Sequence, residues 1–480
     1  MGILLGLIGI GIMVFVHELG HFVAARLAGV EVEVLSLGWG PRLVGFKRGN
    51  TWYQISWLLL IGGYCKMKGE LIPSVAGGSA GAAGAAGGAT PAAGSAGYPV
   101  EGTGSAGATA AAGPVHPKGS FLGASPLQRI MISAFGPLFN LVFAFVVFAL
   151  IAWIGYSFPS SDNRVVLATD YTLDSFPQQP PATRAGLRTG DRIVSIDGKP
   201  VASFQDILES VQEAPGKSLA VGVQRAGSGT HETLAMTPQL DRETGAGRIG
   251  IYAWVDPVVK SVVPNSAAAI AGVQPNDLIV EAGGKPVANS IDVSQAMALA
   301  STKLAIVVSR AGAREPLTLV KNGPDPGIEY VIGLYHSPRM GLGGALGHSA
   351  AETWSTVAMT VKGIGLLFQG VNWRRAVMGP LGITKAIGAA TTGGFAYGGV
   401  GGAAYWAFEL LAVVSIALFL MNLLPIPALD GGQIILFLAE AARGRSVSAR
   451  VIWRLQIVGF SLLIFLFLFA TANDIGFFGR

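Results

Sequence analysis

Four stretches of this sequence, at about residues 2–25, 130–156, 405–424 and 451–470, are almost wholly apolar, and each is long enough to cross a bilayer. A helix needs about 20 residues for that, and lipid satisfies no backbone that is neither helical nor closed into a barrel. The chain therefore reads as a polytopic α-helical membrane protein with about four transmembrane helices. Composition agrees: of 480 residues 51% are apolar and 13% charged, with a mean hydropathy of +0.52, whereas soluble domains carry about a quarter charged residues. The first stretch lacks a basic start and an Ala-x-Ala site and runs into polar chemistry at His17, so it reads as a span rather than a signal peptide. A net charge of +5, spread along the chain, gives no footprint for nucleic acid. The single cysteine, Cys65, excludes an internal disulfide framework and a cysteine metal cluster.

Basic residues set the expected orientation. The connection between spans one and two carries Arg26, Arg42, Lys47, Arg48, Lys66, Lys68, Lys118 and Arg129, and the short loop between spans three and four carries Arg443, Arg445 and Arg450. Both connections are expected in the cytoplasm. Both chain ends and the long segment between spans two and three are expected on the other side.

That long segment contains a repeat. Ala185-Gly-Leu-Arg-Thr-Gly-Asp191, followed by a strand-like run to Gly198-Lys-Pro-Val201, recurs as Ala271-Gly-Val-Gln-Pro-Asn-Asp277 with a run to Gly284-Lys-Pro-Val287. Each copy reads as a helix end at Gly, a turn carrying Asp, a short strand and a tight turn. A period of roughly 85 residues is too long for a solenoid unit and fits two small tandem domains. The copies, over 164–240 and 248–323, resemble the PDZ fold in its bacterial, permuted form, an α+β domain that takes up extended peptides by strand addition. A pair of spacer domains without a ligand is the alternative.

Between the first span (1–29) and the second (127–157) lie two unlike segments. Residues 30–70 alternate apolar and polar side chains around Gly38-Trp39-Gly40, which reads as a membrane-associated β-hairpin joined there. Residues 71–126 read as a flexible cytoplasmic linker, since 27 of the 40 residues in 74–113 are Gly or Ala. Before the third span (404–432), the stretch 350–400 reads as an amphipathic helix and a loop. Trp354, Val357, Ala358, Val361, Ile364 and Phe368 recur there at helical spacing, for a helix lying on the membrane surface or packed within the protein. The fourth span covers 450–472.

The chemistry concentrates at His17-Glu18-Leu19-Gly20-His21. Residues four apart share a helix face, so both imidazoles reach one metal ion while Glu18 stands beside them to take a proton from an attacking water. A shuffled chain of this composition would show the pattern roughly two times in a thousand. Ionisable groups inside a span are costly and usually functional. A catalytic site needs a third protein ligand, and the candidate is Asp430 in Asn422-Leu-Leu-Pro-Ile-Pro-Ala-Leu-Asp430-Gly-Gly432. Spans one and three cross in the same direction, so both motifs fall towards the cytoplasmic face. Taken alone, Asp430 also reads as a helix-end turn residue.

His-Glu-x-x-His in the first span, tandem PDZ-like domains, then Asn-x-x-Pro-x-Pro-x-Leu-Asp-Gly-Gly in a later span together resemble the site-2 protease family of intramembrane zinc metalloproteases. Gly38-Trp39-Gly40 and Met378-Gly-Pro-Leu-Gly382 match further family stretches. The likeness covers nearly the whole chain except the Gly/Ala linker. It implies one zinc ion per chain bound by His17, His21 and Asp430, with Glu18 as general base. It also implies that Asn422 positions the substrate or stabilises the transition state. A helical substrate must unwind to be cut, and the hairpin around Gly38 and Gly40 is expected to offer strand edges to the unwound segment. The implied activity is hydrolysis within the spans of single-span membrane proteins, such as an anti-sigma factor, or of remnant signal peptides. The implied setting is the bilayer of a bacterial inner membrane, with both termini and the PDZ-like domains in the periplasm. Those domains would gate access, either by reading a newly exposed substrate end or by excluding bulky substrates, and could hold peptide ligands. The competing reading is a non-enzymatic membrane scaffold with a structural zinc, against which Glu18 speaks. A transporter would show paired broken helices in repeated halves, and only one broken region appears.

Overall fold

The computed structural model describes residues 2–70, 118–171, 179–242, 245–321, 325–337, 339–367, 378–445 and 447–478. The Gly/Ala linker at 74–113 and Phe368 lie outside the described residues. Four helices are long and apolar enough to cross a membrane, at Leu4–Leu27, Pro126–Ile154, Gly398–Asn422 and Val451–Gly476. The chain divides into two compact units. One comprises Leu7–Phe143 and Val414–Leu468, the other Met1–Gly6, Ala144–Val413 and Phe469–Arg480.

In the first unit, the opening helix (Gly2–Leu27) leads into two long antiparallel strands, Val32–Arg48 and Thr51–Met67. Sequence reasoning placed the hairpin turn at Gly38-Trp39-Gly40, whereas the tight turn is Gly49-Asn50, between Arg48 and its partner Thr51. Gly38 and Gly40 instead bend the first strand. Their φ angles of 90° and 94° lie in the region that only glycine enters freely. The bend lets residues 34–37 pair with 63–66 and with 52–55, while 42–48 pair with 51–56. The stretch 41–50 is exposed throughout. A core of Ala24, Val30, Leu35, Cys65, Phe121, Ile132 and Phe437 joins helix ends and strands.

The third-span helix closes at Asn422, earlier than the span expected over 404–432. Pro425 and Pro427 have no N–H to continue it. The chain then turns through 423–429 and restarts as a separate helix, Asp430–Arg443, where sequence reasoning saw only a short basic loop. Asp430 is thus the first residue of a new helix rather than the end of a span. Gly431 and Gly432 follow because a Cβ at either would collide with main-chain atoms of the turn itself.

The second unit carries the repeat as two like modules. Each has a four-stranded antiparallel sheet. In the first, Lys199–Pro200, Arg192–Ile196, Leu219–Gln224 and His231–Met236 lie side by side. The second aligns Lys285–Pro286, Leu278–Ala282, Lys303–Arg310 and Ala313–Val320 in the same order. Each sheet is covered by a helix with a capping box, Phe204–Gln212 behind Ser203 and Ser290–Leu299 behind Asn289. Each has its own apolar core, around Ile193 and Ile207 in one and Ile279 and Met297 in the other. The duplicated aspartates are buried and paired to arginines at the end of the third strand, Asp191 to Arg225 just past it at 2.8 Å and Asp277 to Arg310, its last residue, at 2.7 Å. Burial works to raise the Asp277 carboxyl, but the Arg310 guanidinium and the Gln274 N–H outweigh it and hold the group below the usual range.

The described residues of 350–400 are more helical than expected. Leu342–Leu367 is one helix, and Pro380–Asn422 continues helical through a kink at Gly399 rather than looping into the span. The carboxylate of Asp474 accepts the N–H groups of Gly379 and Gly382 at 2.9 and 2.8 Å, capping that long helix from the last one (Ala449–Phe478). The helix Leu342–Leu367 buries Ala345, Ser349, Thr353 and Thr356 and leaves Trp354 and Val361 exposed.

Candidate metal centre

The first helix is apolar around its polar pair, and a 3.6-residue turn sets His17 and His21 on one face. Their rings lie edge to face with centroids 4.8 Å apart, and both Nε2 atoms point at the same place, 3.2 Å from each other. The Asp430 carboxylate meets them there, with Oδ2 3.2 Å from Nε2 of His17 and Oδ1 3.4 Å from Nε2 of His21. The three side chains are only 14%, 11% and 12% exposed. The three candidate ligand atoms lie within 4.8 Å of one another. In a tetrahedral zinc site with bonds of about 2.0–2.1 Å, ligand atoms stand about 3.3 Å apart. Two imidazole nitrogens and one carboxylate, with a fourth position left over, are a donor set that zinc accepts, so these residues fit the ion.

Glu18 lies beside the three, within electrostatic reach of His17, His21 and Asp430 and next to the second strand. That strand passes close by: a Cβ on Gly63 would stand 3.2 Å from Cγ of Glu18. The hairpin therefore runs directly against the candidate base. Asn422 ends the third-span helix and is half-buried. Gly38 forms part of the strand bend, its carbonyl accepting from Ser36 Oγ. Among the described residues no hydrogen bond or ion pair joins Asn422, Gly38 or Gly40 to the cluster, whereas His17, Glu18, His21 and Asp430 are brought together.

The second helix supplies what sequence reasoning missed. Nδ1 of His21 lies 2.9 Å from the carbonyl oxygen of Ile132, and Nδ1 of His17 lies 3.3 Å from the side-chain amide of Asn140. Gly136 faces the His21 ring so closely that any Cβ would collide with it, and Gly20 is likewise pressed to the main chain of Phe135. Behind the cluster, Arg129 of the second helix pairs with Glu440 of the Asp430 helix at 2.7 Å and lies over Phe437. Glu70, just beyond the hairpin, accepts the Met67 N–H, and burial pushes its carboxyl up to about 7. A signal for Asn140 was present in the sequence, since an amide within an apolar span is costly unless it has a task.

A membrane-spanning chain that assembles His-Glu-x-x-His and a distant carboxylate at one point defines a membrane metallopeptidase. Comparison with known proteins agrees, the pattern of peptidase family M50 matching residues 5–466. The chain belongs to that family, the site-2 proteases. It is 36% identical to a Treponema pallidum protein that carries a zinc-metalloprotease name, over 99% of both chains. A Borreliella burgdorferi protein with the same name is 29% identical over 99% of this chain and 98% of the relative. The regulator of sigma-E protease RseP of Escherichia coli is 27% identical over 98% of this chain and 97% of its own.

Proposed function

We propose that this protein is an intramembrane zinc endopeptidase that cuts single-span membrane proteins within or beside their spans, using one zinc ion per chain. The observation that carries the proposal is the convergence of the His17 and His21 Nε2 atoms on the Asp430 carboxylate, with Glu18 alongside. His17, His21 and Asp430 would hold the ion. When bound, it supplies Lewis acidity, activating water near neutral pH and polarising the scissile carbonyl. Glu18 takes the proton of the attacking water and returns it to the leaving amine. The second strand, with Gly63 against the Glu18 side chain, keeps the carboxylate beside the cluster for that task.

A helical substrate hides its peptide bonds, so a segment must unwind before it is cut. The exposed strand at 41–48 offers backbone groups to which an unwound segment can add, and Gly38 and Gly40 shape the bend that carries it. Asn422, where the third-span helix stops, donates to or accepts from a freed substrate amide. The two repeated modules are PDZ-like domains that gate substrate access from the side opposite the basic connections, which puts them and both termini outside the cytoplasm of a bacterial inner membrane. The name of the E. coli relative favours an anti-sigma factor as substrate class, with remnant signal peptides as the second class.

The test is cleavage of a panel of single-span model substrates, truncated outside, by purified protein in detergent. Wild type, Glu18→Gln and chelator-treated protein are compared, with metal content measured on the same samples. Cuts by wild type alone, a loss of about 10²–10⁴-fold in Glu18→Gln, and about one zinc retained in that variant are expected. A wild-type protein that holds zinc and cuts nothing would instead support a scaffold with a structural metal.

A further inference from the structure

We infer that Asn140 is a positioning residue of the metal centre: its side-chain oxygen accepts the Nδ1–H of His17 and so holds that imidazole in the tautomer whose Nε2 lone pair faces Asp430 and His21. The inference rests on the zinc-peptidase reading above. Asn140 is fully buried in the second helix, where an amide left without partners is destabilising. Its side chain meets one ring atom, Nδ1 of His17, at 3.3 Å from the amide nitrogen. With the nitrogen end facing the ring, Nδ1 must be the acceptor. The proton of a neutral His17 then sits on Nε2, aimed at the same place as Nε2 of His21 and Asp430, and no lone pair is left there for a metal. The same arrangement leaves Oδ1 of Asn140 buried without a hydrogen-bond partner.

A half-turn about the Cβ–Cγ bond exchanges oxygen and nitrogen with little change of shape, and it resolves both difficulties. Oδ1 then receives Nδ1–H, and Nε2 is free to bind. His21 shows the same logic with no choice of end. Its Nδ1 faces the carbonyl oxygen of Ile132, which can only accept, so its proton is on Nδ1 and its Nε2 lone pair faces the cluster. The second helix thus supplies one acceptor to each imidazole, the arrangement that raises ligand basicity and fixes ring orientation. Asn140 is itself anchored, since Ser415 Oγ donates to its main-chain carbonyl at 2.9 Å.

The experiment measures zinc retention against a competing chelator for full-length wild type, Asn140→Leu and Asn140→Asp in detergent, together with thermal unfolding of metal-stripped wild type and Asn140→Leu. Leucine has a similar volume and no acceptor, so Asn140→Leu should weaken zinc binding by about 10–100-fold while its stripped form unfolds with the stripped wild type. Aspartate keeps an acceptor and no donor, so Asn140→Asp should retain zinc as wild type does. The inference is overturned if Asn140→Leu binds zinc normally, or if Asn140→Asp loses zinc as Asn140→Leu does, since then the nitrogen end is the one in use. Earlier unfolding of stripped Asn140→Leu would overturn it too, by marking a packing role. A wild type that never holds stoichiometric zinc would defeat the zinc-peptidase reading itself, and this inference with it.

Discussion

His21 depends on a neighbour that has no side chain. In an exposed helix, replacing Gly136 by alanine gains roughly 0.5–1 kcal/mol. Here the added Cβ would collide with Nε2 and Cε1 of the His21 ring and come within 2.9 Å of Cδ2. Overpacking of that kind costs about 1–3 kcal/mol, and the ring can escape only by leaving the cluster. Gly136→Ala should therefore lower zinc content and cleavage together, with a net loss of thermal stability. Metal analysis and a melting curve on one preparation decide it, and a variant that keeps its zinc and melts higher would refute the steric argument. The ligands themselves were legible in the sequence because spacing along one helix fixes a shared face. Gly136 was not, and Asn140 showed only as a costly amide within an apolar span, because the facing of one helix towards another is written in no local spacing.

The Asp430 helix is held at its far end by the buried Arg129–Glu440 pair, which ties it to the helix carrying Asn140 and Gly136. Removing one partner strands the other charge away from water, which costs about 3–5 kcal/mol. Glu440→Ala should thus destabilise the protein by that amount and loosen the metal centre. The double replacement Arg129→Met with Glu440→Leu restores an uncharged, filled contact and should recover most of the stability. Thermal unfolding of the three variants is the check, and a double variant no better than the single would show that the charges act separately. At this scale the proline break after Asn422 was predictable from Pro425 and Pro427, two missing N–H groups within three residues, whereas the single Pro137 is carried inside the second helix. The helix restarting at Asp430 was not, since its basic end looked like loop. The hairpin turn was misplaced for a related reason: glycines at positive φ serve a bend and a turn equally well, and only pairing across the strands separates Gly38 and Gly40 from Gly49.

Across the whole molecule, the repeat expected over 164–240 and 248–323 was legible because it is written twice, but its bounds were not. The first core runs on to Ile249 and Ile251, where 251–253 pair back to residues 165–167, and the second takes in Ile328 and Tyr330. Its place in the chain, between spans two and three, confines it to one side of the membrane. Two gating schemes follow from that confinement. If the two repeated modules read a newly exposed substrate end by strand addition, they contribute binding energy, and their removal weakens cleavage. If they act by bulk, they contribute only a barrier, and their removal admits substrates that still carry an external domain. Their self-contained cores predict that excising about 164–323 with a short linker leaves the unit that holds His17, Glu18, His21 and Asp430 folded. The decisive comparison is cleavage of one substrate, full-length and externally truncated, by intact and excised protein. With the exclusion scheme as the expectation, the excised protein cuts both forms and the intact protein only the truncated one. Loss of cleavage of the truncated form, with zinc content unchanged, would transfer the role to end recognition.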